Sequence, residues 1–327
     1  MTEYFLSCDW GTSSFRLKLI SVPELKVIGE EHSGRGISTV FNEWEKKNET
    51  DQAARQTFYF ATISSHLDLL EKKLNIPLAH IPIALSGMAS STIGITDIPY
   101  TVVPFATDGE NLNTRVIKST PGFPHDVLII SGARTSDDVM RGEETQLVGC
   151  VDEGVEGAAT GKEELFIFPG THSKHITVKD NQVTAFTTYM TGEFFALLSG
   201  QSILHVAVKK PMENQPLDSF KKGVEAAVTG NLLHNAFLVR TNDLFKKLSK
   251  EENFAYLSGL VIGAELKDLK GTKNVVLCCN SNLEKYYSAA IEILALDNAR
   301  VFPAEKVDKS VIKGQFKILQ NKGLNYG

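Results

Sequence analysis

The chain has 327 residues, 42% of them hydrophobic and 22% charged, with a formal net charge of −5. That length exceeds a usual single core and points to two domains, for which the apolar content is ample. The acidic balance and scattered lysines exclude the basic footprint of a nucleic-acid binder. The one dense group, Lys246, Lys247 and Lys250, is followed by Glu251 and Glu252 and reads as a solvated helix face. No apolar run approaches the length of a membrane span. MTEYFLSCDW has no basic segment leading into an apolar one, so a cytoplasmic protein is expected. Cys8, Cys150, Cys278 and Cys279 match no metal-ligand spacing and read as buried free thiols of a reducing compartment.

In chain order, residues 4–8 and 15–22 predict two antiparallel strands around the turn Asp9-Trp10-Gly11-Thr12-Ser13-Ser14. In the second strand Phe15, Leu17 and Leu19 alternate with Arg16 and Lys18, the period of a half-buried strand. Residues 26–31 supply a candidate third strand. Residues 51–74 carry Phe58, Ala61, Leu67, Leu70 and Leu74 near helical spacing. IPIALSG (81–87) and DVLIISG (126–132) read as central parallel strands, buried on both faces. MRGEETQLVG (140–149) reads as a short helix or helix start, and the glycine-rich stretch 151–164 as a linker or long turn. The opening pattern then returns. LFIFPGTHSKHITV (165–178) again sets a glycine-threonine turn between two strands, with a third at 181–186. Helices are expected around 192–206, 217–248 and 252–269, and a buried strand over 274–280. The next helix opens on Ser281-Asn282-Leu283-Glu284, which has the form of a capping box. The repetition predicts two similar α/β domains, 1–150 and 151–327.

A glycine lets the backbone approach a ligand closely, and successive amides with hydroxyls form an anion site. Gly11, Thr12, Ser13 and Ser14 offer this in the first turn. Gly170, Thr171 and Ser173 offer it in the second, with Lys174 as a point charge. Two such turns could grip one polyphosphate from both sides. An aspartate beside phosphate makes sense if it holds a cation, so Asp9 is expected to hold Mg²⁺, directly or through water. SDDVMRGEETQ (136–146) gathers Asp137, Asp138, Glu143 and Glu144 around Arg141. A kinase needs a carboxylate at the acceptor hydroxyl. The competing reading is that these acids only favour a helix N-terminus, and it is strongest for Asp137 and Asp138. His172 and His175 would point to opposite faces of a strand and lack a third ligand, so they are not read as a metal pair.

DWGTSSFR, DVMRGEETQ, FPGTHSK and MTGEFFALLS together resemble the 2-dehydro-3-deoxygalactonokinase family, sugar-acid kinases of the actin-like ATPase and sugar-kinase superfamily. Ser86-Gly87-Met88 and YLSGLVIGAEL (256–266) extend the resemblance along the chain. It implies two ribonuclease-H-like (actin-like ATPase) domains with the active site in the cleft between them, ATP and Mg²⁺ as cofactors, and phosphoryl transfer to the 6-hydroxyl of 2-dehydro-3-deoxygalactonate. By the same resemblance Asp9, Gly11, Thr12 and Ser13 form the first phosphate turn, and Gly170, Thr171, His172 and Ser173 the second. The region from Ser258 and Gly259 to Gly263 would lie near the nucleotide, with Asn280 and Ser281 at the start of the following helix. Glu143 is favoured as the base, with Asp9 and Glu144 as rivals. Gly87, Met88, Ser90 and Arg141 fall to the acceptor pocket.

This chain departs from the family where members read Gly-Met-x-Gly-Ser-Arg-x-Gly-Trp. Here Gly87-Met88-Ala89-Ser90-Ser91-Thr92-Ile93-Gly94-Ile95 puts Thr92 at the arginine and Ile95 at the tryptophan. An arginine is the natural partner of a substrate carboxylate, so Arg35, in Gly34-Arg35-Gly36-Ile37, becomes a candidate for it. Asn280 likewise replaces a usual glycine. Other readings stay open: another sugar kinase of the superfamily, a polyphosphate or nucleotide phosphohydrolase on the same fold, or a non-enzymatic actin-like ATPase. No nucleic-acid or membrane partner is expected, and a homodimer is left open.

Overall fold

The computed structural model describes residues 3–48, 50–151, 161–212, 216–272, 274–296 and 299–323. The chain divides into two compact units: 1–159 with 181–185 and 308–327, and 160–180 with 186–307. A single cut after residue 150 therefore does not describe it, because the last stretch belongs with the first unit. Most of the expected linker, 152–160, lies outside the described residues.

The first unit opens on β1 (Glu3–Trp10), β2 (Phe15–Val22) and β3 (Lys26–Ser33), an antiparallel meander. Phe15, Leu17 and Leu19 are fully buried and Arg16 is exposed, as the alternation requires. Helices α1 (Ile37–Glu45) and α2 (Gln52–Leu74) follow, the second capped by Asp51, whose carboxylate accepts from the Ala54 amide at 2.8 Å. Then come β4 (Ile83–Gly87), β5 (Thr101–Val102), β6 (Phe105–Ala106), β7 (Thr114–Ile117), β8 (Val127–Ile130), β9 (Ala133–Arg134), β10 (Val139–Met140) and α3 (Glu143–Val151). The main sheet has the order β3-β2-β1-β4-β8-β7, with β1, β4 and β8 parallel. Every residue of β4 and β8 is buried, which explains their unbroken apolar runs. Asp137 and Asp138 are not at a helix start: they sit in the turn between β9 and β10, where the Asp138 amide donates to Thr135 Oγ1 at 2.9 Å.

The second unit repeats the plan with β11 (Glu163–Phe168), β12 (Ser173–Lys179) and the latter half of β13 (Gln182–Tyr189), then α4 (Thr191–Gly200), α5 (Leu217–Thr229), α6 (Leu232–Leu244), α7 (Lys250–Leu266), β14 (Val275–Leu277), α8 (Ser281–Ile293), β15 (Ala299–Val301) and α9 (Ala304–Asn321). Its strands run β13-β12-β11-β14-β15, with β11, β14 and β15 parallel. This matches β3-β2-β1-β4-β8 strand for strand. From Asp308 onward α9 belongs to the first unit.

Three local expectations change. The single helix expected over 217–248 is two, because Asn231 accepts from the Leu233 amide at 2.9 Å and starts α6 anew. Lys246 lies beyond α6 at φ +54°, so the lysine group spans a turn instead of a helix face. The cap of α8 is Asn280, not Ser281: the Asn280 Oδ1 accepts from the Asn282 and Leu283 amides at 3.2 and 3.3 Å. All four cysteines are free and buried. Among the described residues no helix is long and apolar enough to cross a membrane.

Candidate active site

The first turn is closed by the Gly11 amide, which donates to the Ser14 carbonyl at 2.9 Å. The first amides of a helix lack intrahelical partners, and α1 spends two of them here. Ile37 N–H donates to the Gly11 carbonyl at 3.0 Å and Ser38 N–H to the Thr12 carbonyl at 3.1 Å. Thr12 and Ser13 are exposed. Gly36 makes this docking fit: a methyl group there would lie 2.2 Å from the Thr12 carbonyl oxygen.

The second turn is built the same way. Glu193 N–H, in the first turn of α4, donates to the Thr171 carbonyl at 3.0 Å. A methyl at Gly192 would lie 2.6 Å from the Gly170 carbonyl oxygen. Gly170, Thr171 and His172 are exposed, and His172 Nε2 pairs closely with Glu193 Oε2. Ser173 and Lys174 are buried beneath. Ser173 Oγ accepts from the Gly170 amide at 3.3 Å, and Lys174 Nζ donates to the His172 carbonyl at 2.9 Å. Both therefore brace the turn from inside, and neither lies on its exposed rim.

Acidic groups gather at the end of β1. Asp9 lies across the ladder from Arg16, whose Nη1 is 3.5 Å from Asp9 Oδ2. The Asp9 side chain is 32% exposed. Burial of the rest of it pushes its carboxyl up, Arg16 and Lys18 oppose the rise, and Glu143 adds to it. Gly87 turns past this group at φ +89°: a methyl there would meet the Trp10 carbonyl at 2.7 Å and Asp9 Oδ1 at 3.4 Å. Gly142, at φ +112°, faces Gly87 in turn. Left-handed backbone at both points needs glycine. Glu143 then opens α3 half-buried, its Oε2 accepting from the Arg141 amide at 3.1 Å. Glu144 is fully buried. Its Oε2 accepts from the Gly142 amide at 2.7 Å and its Oε1 from Thr145 Oγ1 at 2.9 Å. Burial, then the Glu143 charge, raise it to about 7.

Arg141 points its guanidinium at Ser90 Oγ, 2.5 Å away, and over the Tyr100 ring at 4.4 Å. No carboxylate pairs with it among the described residues. Met88 is half-buried at the start of the same short turn as Ser90. Arg35 is elsewhere: it pairs with Glu43 of α1 at 2.8 Å, both exposed, beside the first turn. Where the family pattern departs, Thr92 is exposed and Ile95 is core. Helix α2 fixes that loop by its carbonyls: Arg55 donates to Thr92 at 2.5 Å, Tyr59 to Ile93 at 2.5 Å and Gln52 to Ile95 at 2.9 Å.

Gly259 is buried where α7 crosses α5, and a methyl there would lie 1.9 Å from the Phe220 carbonyl. Its place is set by helix packing, with Ser258 half-buried beside it. Asn280 and Ser281 are exposed at the N-terminus of α8, where amides and dipole favour anions. Sequence reasoning missed Tyr100 and Glu265. Tyr100 carries no pattern at all; Glu265 is the one charged residue of YLSGLVIGAEL, and that was its signal.

The repeated strand order, with one braced glycine turn in each unit, defines a protein of the actin-like ATPase and sugar-kinase fold. The activator of 2-hydroxyisocaproyl-CoA dehydratase from Clostridium difficile shares that fold at a TM-score of 0.51 and 10% identity, over 98% of this chain and 96% of its own. The chain belongs to the 2-keto-3-deoxy-galactonokinase family, whose model matches residues 9–317. The 2-dehydro-3-deoxygalactonokinase of Escherichia coli K12 is 32% identical over 308 residues, 91% of this chain and 92% of the relative. A protein of Rhizobium meliloti strain 1021, provisionally assigned the same activity, is 31% identical over 323 residues, 93% of each. A crystal structure of a Sinorhizobium meliloti protein, also provisionally assigned to it, superposes with a TM-score of 0.80 at 29% identity, covering 99% of both chains.

Proposed function

We propose that this protein is an ATP-dependent kinase that phosphorylates the 6-hydroxyl of a 2-keto-3-deoxy sugar acid, first among them 2-dehydro-3-deoxy-D-galactonate. One observation carries the reading. Half-buried Glu143 stands close enough to half-buried Asp9 to add to the rise that burial imposes on the Asp9 carboxyl, next to an arginine that no carboxylate pairs with among the described residues. Glu143 takes the proton of the attacking hydroxyl as the new O–P bond forms. The bond from the γ-phosphorus to the β–γ bridging oxygen breaks, and ADP leaves. Arg141, steadied by Ser90 and Tyr100, takes the carboxylate of the sugar acid, with Gly87 and Met88 shaping the floor. Arg35, already paired with Glu43, is the weaker candidate for that role.

Thr12 and Ser13, and Gly170, Thr171 and His172, exposed on the two turns, are read together with half-buried Gly11 as the donors to the ATP phosphates. The first unit is read as the sugar-acid side and the second as the nucleotide side. Asp9 suits a divalent cation such as Mg²⁺, because burial first and the Glu143 charge after it raise the cost of ionising its carboxyl, and a cation offsets that cost. Among the described residues there is no cluster of three or more protein ligands, and Mg²⁺ needs few. When bound, the cation neutralises charge on the transferring phosphoryl group.

The test is a screen of ATP-dependent phosphorylation across 2-keto-3-deoxy sugar acids and neutral hexoses. ADP release should rise well above the rate in water with one of the acids. Release that proceeds in water and no acid accelerates would sink the kinase reading in favour of a phosphohydrolase.

A further inference from the structure

The second turn rests on a buried acid that none of the roles above uses. Glu265 lies on α7 with 1% of its side chain exposed. A buried carboxylate is costly unless hydrogen-bonded on every side, and here three groups answer it. Tyr287 O–H donates to Oε2 at 2.8 Å, Thr191 Oγ1 donates to Oε2 at 2.5 Å, and His175 Nε2 lies 3.0 Å from Oε1. Each partner leads to the turn. Tyr287 O is 3.3 Å from Ser173 Oγ, which accepts from the Gly170 amide. Thr191 is the first residue of α4, the helix that holds the Thr171 carbonyl and packs Gly192 on Gly170. His175 follows Ser173 by two residues on β12, and the Tyr189 ring lies 4.4 Å from its own. Burial and then Glu265 hold the Tyr287 phenol well above its ordinary value, so it keeps the proton it donates.

We infer that Glu265 is a positioning residue for phosphate binding. Through Tyr287–Ser173 and through Thr191 it fixes both sides of the Gly170–His172 turn relative to each other. This rests on reading that turn as an ATP phosphate site. Four elements, β12, α4, α7 and α8, meet on one carboxylate, so loosening it frees the turn without touching a residue that faces the ligand.

The experiment compares wild type with Tyr287→Phe, Thr191→Val and Glu265→Gln by direct titration with Mg·ATP and by steady-state kinetics, with circular dichroism and melting temperature recorded alongside. Tyr287→Phe keeps the core ring and remains informative if Glu265→Gln does not fold. In Tyr287→Phe the Kd and KM for ATP should rise about tenfold, with the KM for the sugar acid within twofold of wild type. Gly192→Ala should give the same ATP defect. Its combination with Tyr287→Phe should cost less than the product of the two, because both loosen one turn. A folded Tyr287→Phe that binds ATP like wild type overturns the inference alone. A wild type that binds no ATP overturns the phosphate reading of the turn, and the inference with it.

Discussion

Glu143 and Glu144 are adjacent in sequence and opposite in surroundings. Sequence offered both as acids at the start of one helix, because burial is decided by what packs on α3 and not by α3 itself. The structure leaves Glu143 half-buried and seals Glu144, raised from an ordinary 4.5 to about 7. Between those values the folded chain holds a proton that the unfolded chain releases. Stability from this group is therefore full below about 4.5 and is lost as pH rises toward 7, by about 3 kcal/mol at most. Glu144→Gln should abolish that slope and be the more stable form above pH 7. Urea unfolding followed by tryptophan emission reads this directly, since Trp10 and Trp44 both lie in the first unit. A slope that persists unchanged in the variant would contradict the assignment. Arg141 gives a second residue-scale test. Arg141→Ala should raise the KM for the sugar acid about 10- to 100-fold and leave the KM for ATP nearly unchanged, with Arg141→Lys restoring only part, because a point charge cannot match a planar fork. A larger effect from Arg35→Ala would move the carboxylate to Arg35.

The glycine turns show what an element-level reading can and cannot reach. Their positions were legible because strand period and turn composition are local. The clasp on each turn was not, since it joins a hairpin to the helix after the third strand, and its only trace was Gly36 and Gly192 just before or inside a helix start. Alanine at either position forces the helix off the turn, given the 2.2 and 2.6 Å approaches to turn carbonyls. Each variant should lose about tenfold or more in kcat/KM for ATP, since misplacement of this order is costly in positioned catalysis. Gly34→Ala is the control: a methyl there meets nothing within 4 Å, and its kinetics should match wild type. The helix break at Asn231 is different: Thr229-Gly230-Asn231 interrupts the apolar run locally, Gly230 capping the end of α5 and Asn231 the start of α6.

At the scale of the whole chain, the return of the last helix to the first unit was hidden from any local pattern. Gln315 lies 308, 307 and 229 residues in sequence from its partners Ser7, Cys8 and Ser86, yet it is fully buried among them. Its Oε1 accepts from Ser7 Oγ at 2.5 Å, and its Nε2 donates to the Cys8 carbonyl and to Ser86 Oγ, both at 2.8 Å. Those residues precede Asp9 and Gly87 on neighbouring strands, so one side chain ties together the two strand ends that carry the acidic group. Close packing completes the seam: methyls at Gly149 and Gly314 would lie 1.8 and 1.9 Å from the carbonyls of Ser310 and Thr145, so α3 and α9 meet backbone to backbone. Gln315→Leu keeps most of the volume and leaves these polar groups unpaired. It should destabilise the first unit by about 2–4 kcal/mol. The loss should appear as a lower urea midpoint in tryptophan emission, with the slope unchanged. Shortening the chain before Asp308 removes Gln315 and the α9 side of the glycine seam together. The first unit should then lose its cooperative tryptophan transition, and a shortened chain that unfolds at the wild-type midpoint would show that α9 is not part of its core.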